Sequence, residues 1–226
     1  VNAGGQRSFR INAGTKLSDI ASHAALRQTF PALTAAAAEI AGPQIRNMGT
    51  LGGSLCQRNR CWYFRDEHVN CRLKSGQTCF AIDGENQYHA IFDSGLACCC
   101  VHPSATGAAL SAYGASLEVV SAKGRRMVPM DKFFFRPVDD ATRENTLSAG
   151  EIGETIALPA PGAGARSVYR KRKEKESFDW PIVEVCVALA ISGGAIRNPR
   201  VVFGSVAPTP HRSPEAEAVL NGAHPS

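Results

Sequence analysis

The chain has 226 residues, 44% of them hydrophobic, with eight cysteines and a formal charge of +5. That length and apolar content suffice for one large domain or two modest ones with an ordinary core, so size does not demand disulfides. No run of about 18 apolar residues appears, and the first residues, VNAGGQRSFRIN, lack the apolar stretch of a signal peptide. The expectation is a soluble chain without a membrane span, not exported by itself. The densest basic stretch, RKRKEK at Arg170 to Lys175, is partly neutralised by Glu174 and Glu176. With no broad basic stripe or recognition motif beside it, nucleic-acid binding is not expected.

In chain order, Ser8 to Ala13 alternates like a short strand. Thr15 then precedes a helical face of Leu17, Ile20, Ala21 and Ala24. A second helix is expected from Pro31 until Gly42-Pro43 ends it. A glycine-rich loop follows, GPQIRNMGTLGGSLC, and then a cysteine-bearing stretch that lasts to Ser104. Alanines from Ala105 to Ala112 read as a helix, and Leu117 to Ser121 and Arg126 to Pro129 as strands. The Pro/Gly/Ala segment PAPGAGA, Pro159 to Ala165, is the expected linker between two domains, 1–160 and 165–226. Beyond it, Val183, Val185, Val187, Leu189 and Ile191 alternate as a half-buried strand. Gly193-Gly194 turns the chain, Arg200 to Val206 returns as the hairpin partner, and Ser213-Pro214 offers an N-cap and first turn for a last helix.

Six of the eight cysteines fall between Asn59 and Ser104. Cys61, Cys71, Cys79 and the Cys98 to Cys100 cluster are separated by nine, seven and eighteen residues, with no close pair among the first three. Structural zinc usually takes ligands paired about two to four residues apart, and disulfides usually accompany small secreted domains. Four thiolates around an iron–sulfur cluster need no such pairing, and a metal centre would order a long polar loop. Unliganded thiols, a cluster, zinc and disulfides all remain open on spacing alone. Cys56 and Cys186 read as small buried hydrophobes.

Gly49-Thr50-Leu51-Gly52-Gly53-Ser54 fits neither GxGxxG nor a Walker loop. It offers a run of backbone N–H groups unobstructed by side chains, with the Thr50 and Ser54 hydroxyls beside them, suited to a pyrophosphate or to a tight turn. IRNMGTLGGSLC, Ile45 to Cys56, closely resembles the second flavin-binding segment in the FAD-carrying medium subunit of the molybdenum hydroxylases, the xanthine dehydrogenase and carbon monoxide dehydrogenase family. RCWYFR, CRLK, TCFA, GENQYHAIF and VHPS resemble the branch whose medium subunit carries an added [4Fe-4S] cluster, as in 4-hydroxybenzoyl-CoA reductase and bacterial aldehyde oxidoreductases. YRKRKEKESFDWP and RVVFGSVAP resemble that family's C-terminal domain.

The resemblance implies an α+β chain: an FAD-binding type 2 domain, like that of vanillyl-alcohol oxidase, followed by a CO dehydrogenase flavoprotein C-terminal-like domain. Carried over by position, it puts cluster ligands at Cys61, Cys71, Cys79 and Cys98, with Cys99 and Cys100 as extras that could substitute. It puts FAD contacts at Gly49, Thr50, Gly52, Gly53, Ser54 and Ser104, and Lys171 near the flavin ring. Ala105 stands where relatives usually have an FAD-contacting Asp. The family's first FAD-binding loop would lie before Val1, so the chain reads as a fragment. The implied role is an electron-transfer oxidoreductase subunit holding FAD and [4Fe-4S]. Its partners would be a molybdenum-cofactor large subunit, where substrate chemistry occurs, and a [2Fe-2S] small subunit, in the cytoplasm or co-exported to the periplasm with a partner. His68, His89 and His102 lie near the cysteines and read as structural, His102 as orienting the Cys98 loop. The rival from another class is a non-enzymatic zinc- or disulfide-stabilised binding module presenting RKRK to an acidic partner.

Overall fold

The computed structural model describes residues 2–3, 9–93 and 97–225. Two antiparallel sheets with helices between and beside them make the α+β architecture. The first sheet has the order β1-β2-β5-β3-β4, built from β1 (Asn2–Ala3), β2 (Phe9–Asn12), β3 (Ser116–Ser121), β4 (Gly124–Pro129) and β5 (Ile152–Leu158). The second has the order β6-β7-β8-β9, from β6 (Ala165–Arg172), β7 (Val183–Ser192), β8 (Ala195–Gly204) and β9 (His211–Arg212).

Side-chain alternation puts Phe9, Ile11, Leu117, Val119, Ile156 and Leu158 on the inner face of the first sheet. They meet Ile20 of α1 (Leu17–Ser22), Leu26 of α2 (Ala24–Thr29) and Leu33 of α3 (Pro31–Ala38). Phe30, between α2 and α3, stacks edge-on with Phe9 at 5.5 Å and Tyr113 at 5.1 Å. All eight residues of α7 (Ala105–Ala112) are buried, and their small side chains let it lie close against β7 and β8. Tyr169, Cys186 and Val202 of the second sheet join this same core. The two sheets therefore share one continuous apolar interior, although the 159–164 segment between β5 and β6 carries no regular structure.

Several local expectations change. The expected first strand spans Phe9–Asn12, and Ser8 lies outside the described residues. His23 breaks the first helix: its extended backbone ends α1, and its Nδ1 accepts from the Leu26 amide to cap α2. The stretch expected as a glycine-rich loop is two short helices, α4 (Pro43–Met48) and α5 (Leu51–Leu55), because Pro43 occupies a first-turn position and Thr50 caps the second. In β7 the fully buried residues are Glu184 and Cys186, while the valines expected to face inward are half-buried. The hairpin partner starts at Ala195 because Gly193 and Gly194, at φ +59° and +73°, form a tight turn. A register shift then absorbs Asn198, at φ +47°, and Pro199. Ser213 caps α8 (Pro214–Leu220) as expected, its hydroxyl accepting from the Ala216 amide. Among the described residues no helix is long and apolar enough to cross a membrane.

Candidate functional site

The segment from Gly49 to Ser54 is clamped onto the end of β2. The Leu51 amide donates to the Thr15 carbonyl at 2.9 Å and the Gly52 amide to that of Ala13 at 2.8 Å. The Gly53 amide donates to Thr50 Oγ1 at 3.1 Å, and the amides of Gly49 and Ser54 are bonded within the chain. Of the expected row of N–H groups, all but that of Thr50 are thus bonded within the chain. What the segment presents is backbone without side chains. A β-carbon at Gly52 would stand 2.9 Å from that of Ala13, so this glycine permits the clamp. A β-carbon at Gly49 would meet the Ile45 carbonyl oxygen at 3.0 Å, and one at Gly53 would meet Thr50 Oγ1 at 3.2 Å.

Behind this segment, the hydroxyls of Ser54, Ser104 and Thr106 form a buried triangle with sides of 3.0 to 3.1 Å. Ser104 also caps α7 by accepting from the Gly107 amide at 3.1 Å. In front lies a cleft of about 490 Å³, bounded by α4, α5 and the β6–β7 connection. Gly49, Thr50, Gly53, Ser54 and Lys171 line it, whereas Gly52 and Ser104 are not on its lining. Its volume and its mix of apolar wall with a few convergent polar groups suit a small-molecule or cofactor site. Ala105, the first residue of α7, also lines it.

Two cations border the cleft. Lys171 is half-buried and donates from Nζ to the Glu39 carbonyl at 3.0 Å; burial lowers its pKa, and Glu184 opposes that shift. Arg60, which sequence reasoning missed, has its guanidinium 4.9 Å from the Trp180 ring centre, and burial and then Arg65 lower its pKa. Glu184 was missed too. It is 1% exposed, accepts a hydrogen bond from Tyr169 Oη, and burial raises its pKa. A lone acid between two valines was its only signal. Arg60, Pro103 and Trp180 also line an adjoining cleft of about 360 Å³, whose far side includes Cys61, His89 and His102.

The cysteine segment closes around a small cavity lined by Cys61, Cys71, Cys79 and Cys98 together with Tyr63, Phe64, Leu73 and Phe80. Cys99 and Cys100 are not on that lining. Cys99 Sγ lies 3.9 Å from Cys79 Sγ and faces a separate surface cleft. The neighbouring Cys100 thiol pulls the Cys98 pKa down to about 7. All eight cysteines are free thiols. Cys186 is buried as expected, whereas Cys56 is exposed at the end of α5, where the chain leaves the core. Among the described residues no three or more His, Cys, Asp or Glu side chains gather closely enough to hold a single metal ion. A lone ion needs every sulfur at about 2.3 Å. A cluster interposes its own iron and sulfide core, so its thiolates stand farther apart.

A short helix, α6 (Trp62–Arg65), and tight turns order the segment. The amides of Lys74 and Gly76 both donate to the Cys71 carbonyl, and a β-carbon at Gly76 would collide with the Asn70 carbonyl. His89 Nε2 lies 3.2 Å from Cys61 Sγ. His102 is buried against Phe134 with Nε2 unpartnered, and burial lowers its pKa to about 3, so the ring is neutral. Its backbone N–H donates to the Ala207 carbonyl at 2.8 Å, which anchors the Cys98 end of the loop. His68 is exposed beside Glu67.

Residues 2–161 match the model of the FAD binding domain in molybdopterin dehydrogenase, and residues 167–226 that of the CO dehydrogenase flavoprotein C-terminal domain. The chain is 32% identical to the aldehyde oxidoreductase FAD-binding subunit PaoB of Escherichia coli (strain K12), over 98% of this chain and 68% of that protein. It is 27% identical to the carbon monoxide dehydrogenase medium chain of Hydrogenophaga pseudoflava, over 94% of this chain and 57% of the relative. The solved structure of carbon monoxide dehydrogenase from Hydrogenophaga pseudoflava, lacking the Mo-pyranopterin moiety, superposes with a TM-score of 0.71 at 26% identity, over 100% of this chain and 61% of that one. The chain thus spans between 57% and 68% of the length of these relatives.

Proposed function

The chain belongs to the family of FAD-binding domains of molybdopterin dehydrogenases, with a CO dehydrogenase flavoprotein C-terminal domain after it, and we propose that it is the flavin-holding, electron-transferring medium subunit of a molybdenum-cofactor hydroxylase or dehydrogenase. The observation that carries this reading is the 490 Å³ cleft, where the backbone of Gly49 and Gly53, the Thr50 hydroxyl and two cations converge. Gly49, Thr50, Gly53 and Ser54 would face the cofactor's pyrophosphate, with Arg60 and Lys171 offsetting its charge and Lys171 nearest the ring. Gly52 and Ser104 act indirectly: one lets the segment seat against Ala13, and the other holds Ser54 and starts α7. The buried Leu17 and the half-exposed Trp180 form part of the cleft wall. The two units would be 1–160 and 165–226, with the cleft at their junction.

The cysteine cavity supports a [4Fe-4S] site with Cys61, Cys71, Cys79 and Cys98 as ligands. The donor set fits: four cysteines line one cavity, with aromatic and aliphatic side chains as its remaining wall; Cys100 packs into the same cluster without lining the cavity, and Cys99 lines another cleft. When bound, FAD would exchange electrons singly or in pairs and the cluster one at a time. The chain's own part is to hold the two sites in register, with Arg60 and Cys61 consecutive in sequence and facing the clefts between them. Substrate chemistry would fall to a molybdenum-cofactor large subunit, with a [2Fe-2S] small subunit as electron donor, in the cytoplasm or co-exported with a partner. A zinc- or disulfide-stabilised module has less support, since the thiols are unpaired and Lys171 of RKRK turns into the cleft.

The test is anaerobic purification followed by iron, sulfide and flavin analysis, with FAD titrated into the parent, Gly53→Val and Cys71→Ser proteins. The expected result is iron in the parent but not in Cys71→Ser, and FAD binding that Gly53→Val abolishes. Equal iron in the parent and Cys71→Ser would overturn the cluster assignment. FAD binding untouched by Gly53→Val would overturn the cleft assignment.

A further inference from the structure

The four cysteines of the small cavity are not equivalent. Among the described residues, only Cys61 has an imidazole nitrogen against its sulfur, His89 Nε2 at 3.2 Å. The ring is 9% exposed and is fixed from the side by Trp62, edge-on at 4.9 Å. The His89 amide closes a turn onto the Asn86 carbonyl at 2.9 Å, and the next amide, of Ala90, donates to the Cys99 carbonyl at 2.7 Å. Its other ring nitrogen, Nδ1, is buried without a partner. A histidine held this firmly with half its hydrogen-bonding capacity unused is costly to keep, so the remaining contact requires a reason.

The chemistry of sulfur sets the direction of that contact. A metal-bound thiolate has no proton to give and can only accept, so Nε2 must carry the hydrogen. Cys61 is also the cysteine that faces the 360 Å³ cleft leading past Arg60 and Trp180 to the larger one, so the contact acts on the edge of the cavity turned toward the candidate flavin site.

We propose that His89 is a positioning residue for a cluster held by Cys61, Cys71, Cys79 and Cys98: its Nε2–H donates to the Cys61 sulfur and makes that cluster easier to reduce. The inference rests on the cluster reading above. Reduction adds negative charge that is shared with the ligand sulfurs, and a donor aimed at one of them stabilises the reduced form more than the oxidised one. No proton moves; it stays on Nε2 in both states.

The experiment compares the parent protein with His89→Gln and His89→Phe, all purified anaerobically. Iron and sulfide per chain are measured first, followed by a potentiometric titration with dithionite monitored by electron paramagnetic resonance. The expected pattern is full iron in all three, a midpoint potential shifted negative in His89→Phe, and recovery toward the parent in His89→Gln, whose carboxamide can still donate. His89→Phe with full iron and the parent potential would overturn this inference alone. Iron lost from both variants would make His89 structural and would likewise overturn it. A parent without iron would overturn the cluster reading and this inference together.

Discussion

Gly204 lies directly across from Glu184 in the β7–β8 pairing, and a β-carbon at 204 would collide with the Glu184 carboxylate. The glycine therefore makes the space in which a buried acid lies. Gly204→Ala must move Glu184 or bend β8, and overpacking of this kind costs about 1–3 kcal/mol. Urea unfolding should show a lower midpoint with an unchanged slope. A midpoint equal to the parent's would mean that Glu184 has another place to go.

Glu184 should also leave a signature in pH. Burial raises its folded-state pKa above the unfolded value, so the folded state binds more protons at this site than the unfolded state. Its contribution to stability is greatest below the unfolded pKa and falls as pH rises through the folded one. Glu184→Gln removes the titration, while its side-chain oxygen can still accept from Tyr169. The variant should lose part of the parent's decline in stability from mildly acidic to neutral pH; parallel profiles would sink this account.

Lys171 faces Glu184 across β6 and β7, and Glu184 partly offsets the fall in lysine pKa that burial causes. Removing the acid through Glu184→Gln should lower the Lys171 pKa further. Nuclear magnetic resonance of the lysine side chain can follow it directly. An unchanged pKa would show that the two groups do not sense each other.

The buried hydroxyl triangle predicts an order of effects. Ser54→Ala leaves Ser104 and Thr106 paired at 3.1 Å and should cost about 1 kcal/mol. Ser104→Ala removes two sides of the triangle and the cap of α7, so it should cost more, adding a cap loss of about 1 kcal/mol. Thermal unfolding of both variants decides the order; equal costs would place the cap outside the stability of α7.

Ala105 lines the large cleft at the first turn of α7, where an acidic side chain is also favourable to the helix. Ala105→Asp should restore one hydrogen bond to FAD and tighten binding by somewhat less than about tenfold. Flavin fluorescence titration of parent and variant reads the change, and unchanged or weaker binding would mean that another residue already makes the contact.

Sequence periodicity located β2, β3, β4, α7 and the β7–β8 hairpin, because each has a buried stripe or a turn residue with a local cause. It assigned the wrong face of β7, since Glu184 is made tolerable by Gly204 and Tyr169, neither of which is near it in the chain. It read Gly49 to Ser54 as open loop because the amide partners, Ala13 and Thr15, lie far back in the chain, just after β2. The cysteines that line the cavity could not be selected by spacing, since Cys98, Cys99 and Cys100 are consecutive in sequence and only Cys98 is on its lining. Arg60 carried no signal of its own; its place comes from the Trp180 ring, which is distant in sequence.

The amides of Ile91 and Phe92 both donate to the Val206 carbonyl, and that of His102 donates to Ala207. These acceptors lie more than 100 positions downstream of the amides they hold. During synthesis, which delivers roughly 5–20 residues per second, the cysteine segment leaves the ribosome several seconds before the β8–β9 connection that fastens it exists. Until then it has its own short turns and contacts such as that of His102 with Phe134 to hold its shape. The segment is therefore fastened late in the life of the chain, and a messenger truncated before the codon for Val206 would yield every cysteine of the cavity without the connection that fastens it.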